Sequence, residues 1–119
     1  MATAPVIVQP DLEAFVYEAL KPLGGVDSFA YTALSPWPGW IVAHFIQVDA
    51  RARRKDAARG LAEQARQTMM ALPDRPWPEG VVCYVQVVEA PFWLPDLEDG
   101  GPRYVARYEV RVHPRRSPP

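Results

Sequence analysis

Two histidines, one cysteine and one short acidic run are the side chains of this 119-residue sequence best suited to bond-making chemistry. Cys83, within Val82-Cys83-Tyr84, reads as a small buried hydrophobe, because no helix N-terminus or basic neighbour in sequence would lower its thiol pKa. A single cysteine closes no intramolecular disulfide and is too little for a cysteine-built zinc site, which suits a reducing compartment. His44 lies between Ala43 and Phe45 in an apolar stretch, where a hydrogen-bonded structural imidazole is the ordinary reading and an acid-base role the alternative. A Cys83-His44 pair on adjacent strands would be the available nucleophile-base arrangement, although strand interiors are unusual places for one. His113 ends the last expected strand. Asp96, Glu98 and Asp99 could attract a cation, but their spacing does not match an EF-hand loop, and they read as solvated loop acids. Glycine-rich phosphate loops and nucleophile elbows are missing from the sequence. The chain is therefore expected not to be an enzyme and to use no cofactor or metal.

Binding chemistry has more to work with. Arg51, Arg53, Arg54, Lys55, Arg59 and Arg66 crowd one segment against Asp56 and Glu63, and Arg103, Arg107, Arg111, Arg115 and Arg116 enrich the end of the chain against Glu109. Such stripes could hold a nucleic-acid backbone, but no helix-turn-helix, zinc-finger or RNP-type signature accompanies them. Thirteen Lys plus Arg balance fourteen Asp plus Glu, giving a net charge of -1, which removes the simplest case for a nucleic-acid or membrane-surface protein. The balance hides segregation: the first 30 residues and the Asp96-Asp99 loop are acidic, while the two Arg-rich segments are basic.

Four Trp, four Phe and five Tyr are many for a small domain. Trp37 and Trp40 flank a proline-stiffened turn, Trp77 sits between prolines, and Phe92-Trp93 opens a loop. Rigid loops present aromatic anchors at small entropic cost. Opposite charge patches suit a head-to-tail contact between copies, which closes into a ring when the rotation permits. The competing reading is that some of these aromatics plug the ends of the protein's own core.

Elements to position these groups follow from periodicity. Leu12, Phe15, Val16, Ala19 and Leu20 predict a helix over Pro10-Leu20. Strands are expected at Ser28-Leu34 and, centrally, Trp40-Asp49, forming a hairpin. Ala58, Leu61, Ala62, Ala65, Met69 and Leu72 lie on one face of a helix expected from Arg51 to Leu72. Val81-Glu89 is a third strand, Ala90-Pro102 a loop, and Arg103-Val112 a fourth strand alternating Tyr104, Ala106, Tyr108, Val110 and Val112 with Arg103, Arg107, Glu109 and Arg111. The order α-β-β-α-β-β predicts an α+β fold: one sheet of about four strands, antiparallel or mixed, packed against two helices.

Length and composition bound the rest. A chain of 119 residues, 49% hydrophobic and 23% charged, is one ordered domain, read as residues 1-113 with a basic, proline-rich tail, 114-119, expected to be disordered. No apolar run approaches the roughly 18 residues that span a bilayer, and no membrane partner is expected. All 14 prolines fall at boundaries or in loops of the expected elements.

The arrangement from residue 10 to 113 resembles the tail-terminator (minor tail) proteins of long-tailed bacteriophages, especially those of actinobacterial hosts. The resemblance is carried by the Pro-Asp-Leu-Glu helix start, by Phe45-Ile46-Gln47-Val48-Asp49-Ala50, by Arg54-Lys55-Asp56-Ala57-Ala58-Arg59-Gly60-Leu61-Ala62, and by the final Arg103-Tyr104-Val105-Ala106-Arg107-Tyr108-Glu109-Val110-Arg111-Val112. It implies a homohexameric ring that caps the tail tube, stops tube-protein polymerisation and offers a joining face to the head-side connector, with DNA passing non-specifically through the lumen. The implied location is the virion tail or neck, reached from the host cytoplasm during assembly. Head-completion or connector proteins of the phage neck are the nearest alternative, and a nucleic-acid-binding α+β module using the Arg-rich helix is the more distant one. Within the ring reading, Arg53, Arg54, Arg59 and Arg66 are expected on one side of a subunit contact and Asp96, Glu98 and Asp99 on the other, with Trp37, Trp77, Phe92 and Trp93 as candidate anchors.

Overall fold

The computed structural model describes residues 10-37, 41-96, 98 and 101-114, with backbone alone for 32-37. Trp40, Asp99, the Trp37 side chain and the tail beyond residue 114 lie outside the described residues.

Helix α1, Leu12–Leu20, starts one turn position later than the proline suggests, because the Asp11 carboxylate caps it by accepting from the Ala14 amide at 3.1 Å. Its expected face is the buried one: Leu12, Phe15, Val16, Ala19 and Leu20 all enter the core. A 3-10 turn at Lys21–Leu23 and two glycines with positive φ then lead into strand β1, Val26–Trp37. Glycine is required at Gly25, where φ is 69° and a Cβ would stand 2.7 Å from the Arg51 carbonyl oxygen.

Strand β2, Ile41–Arg51, pairs antiparallel with β1 and runs two residues past its expected end. The reason is a continuing ladder: the Arg51 amide donates to the Gly25 carbonyl at 2.9 Å, and Ala50 is buried. Helix α2, Lys55–Met70, is correspondingly shorter at its start than the expected Arg51. Its sheet-facing residues Ala58, Ala62 and Ala65 are small enough to bring helix and sheet close, while Met69 fills the space beyond them. Leu72 is buried too, but from a 3-10 turn, Leu72–Asp74.

Strands β3, Gly80–Trp93, and β4, Arg103–Pro114, complete one antiparallel sheet of order β1-β2-β4-β3. The α+β class and the α-β-β-α-β-β order agree with the expectation, and the sheet is antiparallel throughout. β2 occupies the central position read from its composition, with β4 beside it.

Two corrections concern β3. The segment expected to be loop from Ala90 continues as strand to Trp93, with Phe92 opposite Val105 and Trp93 opposite Tyr104. Pro91 therefore lies inside a strand, as Pro36 lies inside β1. Both strands are sheet edges and both prolines sit where the pairing slips, between Leu34 and Trp37 and between Glu89 and Phe92, so neither removes a ladder bond from a central strand.

The helices cover one face of the sheet. Ile46, Val48, Val82, Val85, Ala106, Tyr108, Val110 and Val112 meet α1 and α2 there in a single apolar cluster. Tyr108 is fully buried, its hydroxyl has no hydrogen-bond partner among the described residues, and burial pushes its pKa up to about 12. It remains a neutral phenol throughout the physiological range.

The opposite face carries a lattice of charge and aromatics. Arg107 donates from Nη1 to both carboxylate oxygens of Glu89 at 2.9 Å and from Nε to Gln47, and lies over Phe92, while Arg111 pairs with Glu109 and lies over Tyr84. Charge-assisted pairing and the ring contacts hold these long side chains against the strands.

Candidate assembly interface

Strand β4 runs from one end of the molecule, where β2 and β3 finish and α2 begins, to the other, where β3 starts and α1 begins. The candidate residues sort by these two ends.

At the first end stand Arg53 and Arg54, just ahead of α2, and Lys55, Asp56 and Arg59 in its first turns, all exposed. Arg54, Lys55, Asp56, Arg59 and Tyr104 border a depression of about 560 Å³. Trp93 is 40% exposed, meets Tyr104 edge-on at 5.5 Å and carries the Lys55 ammonium 4.6 Å from its ring centre. Arg66 lies further along the helix, paired with Glu63 at 3.7 Å.

The acidic loop occupies this same end rather than an opposing surface. Asp96 is bridged to Arg51 at 3.3 Å and accepts the Glu98 amide on its other oxygen, so much of its charge is met within the chain. Glu98 is exposed, and Asp99 lies outside the described residues. Beneath the loop is a group that the sequence reading passed over: Asp49, only 5% exposed, accepts from Gln47 at 2.9 Å and pairs with Arg103 at 3.4 Å and Arg51 at 4.0 Å. A carboxylate at the end of a strand has no one-dimensional mark of this role, because its cations come from residues 51 and 103.

Trp77 is at the second end and is committed to the core. It is 7% exposed and stacks on Phe15 with ring centres 4.4 Å apart and planes 13° from parallel. Of the four candidate anchors it follows the competing reading, an aromatic that folds back over its own core. Phe92 is half-buried under Arg107, which leaves Trp93 as the exposed aromatic among the candidates whose side chains are described. Next to Trp77 is a groove of about 410 Å³, bordered by Asp11, Glu18, Arg75 and Glu79 over the Phe15-Trp77 stack. Its acids were not singled out by sequence, since residues 11, 18 and 79 come together only in the fold.

The residues considered for catalysis are separated. β4 lies between β2 and β3, so Cys83 and His44 are not on neighbouring strands. Cys83 is exposed rather than buried, because the pairing slips between Val82 and Tyr84 and turns it outward. Among the described residues, no three His, Cys, Asp or Glu side chains are grouped to hold a metal ion. No described helix is long and apolar enough to cross a membrane.

His44 also departs from the hydrogen-bonded expectation: its Nε2 is buried with no partner among the described residues. Burial lowers its pKa, opposed by the nearby Glu13 carboxylate. As pH falls below the ordinary histidine value of about 6.5, the unfolded chain takes up this proton first. Stability is then lost until the folded imidazole also protonates, at no more than about 1.4 kcal/mol per pH unit. Denaturant melts from pH 7.5 to 5 are expected to show this loss, and His44→Leu to flatten it; an unchanged slope in the variant would place the pH dependence elsewhere.

No protein-family model and no curated protein sequence matches the chain. Among solved structures, its fold is similar to that of a chain in the virion of a native gene transfer agent (GTA) particle, with a TM-score of 0.57 and 13% sequence identity, covering 86% of this chain and 94% of that one. At that identity the likeness is one of fold, and it extends over nearly the whole of both chains.

Proposed function

We propose that this protein is a structural component of a phage-like virion, and within that class a tail terminator: a homohexameric ring that caps the tail tube, halts tube polymerisation and presents a joining face to the head connector. The supporting observation is the near full-length likeness in fold to a chain of a GTA virion. The same role follows from the sequence resemblance, which rests on different grounds. Partners in this reading are further copies of itself, the tube protein and the head-side connector, with DNA passing through the lumen without being read. The protein performs no catalysis in this role. Its working parts are surfaces.

The test is assembly. Sedimentation and negative-stain imaging of the full chain at high concentration are expected to give closed rings, and adding the chain to growing tail tubes to arrest their elongation. Tubes that grow on past bound protein would overturn the terminator role and favour a connector. A monomer that binds DNA at about 0.15 M salt with a steep salt dependence would favour the nucleic-acid module.

A further inference from the structure

Within the ring reading, on which this inference rests, the structure also points to which surfaces meet. The groove over Phe15 and Trp77 is bordered by three carboxylates, Asp11, Glu18 and Glu79, and by the single cation Arg75. Among the described residues, none of the three carboxylates forms an ion pair. Asp11 instead caps α1, and Glu79 accepts the Asp11 amide at 3.2 Å. Neither use cancels the charge. Glu18 points outward from the middle of an exposed helix face. The groove's own Arg75 lies over the Phe15 ring, 5.9 Å from its centre, so what the slot offers an incoming arginine is its surplus of carboxylates.

A matching surplus stands at the other end of the same chain. Arg53 and Arg59 form no ion pair among the described residues, Arg54 reaches only its neighbour Asp56 at 3.2 Å, and Lys55 rests on Trp93. These cations cannot neutralise the groove within one molecule. The α2 start adjoins the beginning of β4, whereas the groove lies where Gly80 pairs with Pro114 at the end of β4. Twelve strand residues at about 3.3 Å each separate the two levels by roughly 35 Å.

We infer that the acidic Phe15-Trp77 groove of one subunit receives the Arg53-Arg59 corner of a second copy, in a repeating head-to-tail contact. Groove and corner are different surfaces at opposite ends, so each subunit offers one to each neighbour, as a closed ring requires. Of the acidic loop first expected to face the arginines, Asp96 is already bridged to Arg51 within the chain. Opposite charge at the two surfaces also sets the direction of the contact, since corner-to-corner and groove-to-groove approaches repel.

The test uses two charge-reversed forms of the full chain, Arg53→Glu/Arg59→Glu at the corner and Glu18→Lys/Glu79→Lys at the groove. Each alone is expected to lower the assembled fraction by roughly tenfold or more, and an equimolar mixture to restore it, because a reversed corner fits a reversed groove. Mass by sedimentation reads the result, and a thermal melt checks that each variant is folded. Should the groove variant not fold, Glu18→Cys/Arg59→Cys in a Cys83→Ser background serves instead: a short bis-maleimide is expected to give a ladder of 18-to-59 links between subunits. Assemblies that survive both reversals, or links confined to 18-to-18 or 59-to-59, would overturn the contact while leaving the ring reading intact. A corner variant that loses DNA binding but keeps its mass would likewise overturn it. Restored assembly in the form of open filaments would keep the contact and remove the ring.

Discussion

Trp77→Ala is expected to destabilise the protein by about 3-5 kcal/mol, the usual cost of removing a buried indole from a packed core. The side chain is 7% exposed and stacked on Phe15, which is itself 8% exposed, so the deletion would open a void between α1 and the segment leading into β3. Gly80 tightens the site further, since a Cβ placed there would come within 3.3 Å of the indole. A loss of this size lowers the melting temperature of a domain of this length by roughly 10 °C or more. Denaturant melts measure it directly, with Trp77→Phe expected to recover part of the loss. A variant with unchanged stability and impaired assembly would return Trp77 to the role of an exposed anchor.

Asp49→Ala is the second large effect, expected at about 1-3 kcal/mol. Removing one partner of a buried ion pair commonly costs 3-5 kcal/mol because the other charge is left in a dry site. Here the Arg103 and Arg51 side chains keep 20% and 40% of their surface in water, and solvent takes over part of the work. The consequence extends beyond stability. Arg103 also donates to the Leu94 carbonyl at 2.9 Å, and Arg51 holds Asp96, so one carboxylate organises both cations that tie down the loop beyond Trp93. Faster amide exchange at Leu94 and Asp96 is expected in the variant, together with easier proteolysis of that loop. Asp49→Asn, which keeps the shape and one acceptor, should give the smaller loss; equal losses would mean that the charge carries the whole effect and the retained shape and acceptor none of it.

Much of the architecture is legible in one dimension, and the reason is burial on a single face. The buried sets of α1 and α2 and the alternation of β4 each repeat with the period of their own backbone. A strand that alternates Tyr104, Ala106, Tyr108, Val110 and Val112 with charged residues has one way to face a core. Boundaries are read less well where pairing overrides propensity. Arg51 joins β2 because a carbonyl at Gly25 is there to receive its amide, and Pro91 stays in β3 because an edge strand tolerates a slip.

The candidate site was legible only as an inventory. Arg53, Arg59 and Trp93 could be named as surface groups, but Asp56 and Glu63 stand at pairing distance from Arg59 in sequence, and only the structure gives those acids to Arg54 and Arg66. Whether a given acid or aromatic is still available depends on distant residues. Asp96 is held by Arg51, Trp77 by Phe15, and the carboxylates of the groove are gathered from positions 11, 18 and 79.

The sequence by itself determined the class of fold, the faces of the helices, the inward face of β4 and the separation of basic from acidic segments, because periodicity and local charge are properties of neighbours along the chain. Only the tertiary structure decided the order β1-β2-β4-β3, the burial of Asp49 and Trp77, and the placing of a basic corner and an acidic groove at opposite ends of one sheet. Those depend on which distant residues the packed sheet brings within a few ångströms, and the energies of ion pairs and stacked rings fall away beyond that range.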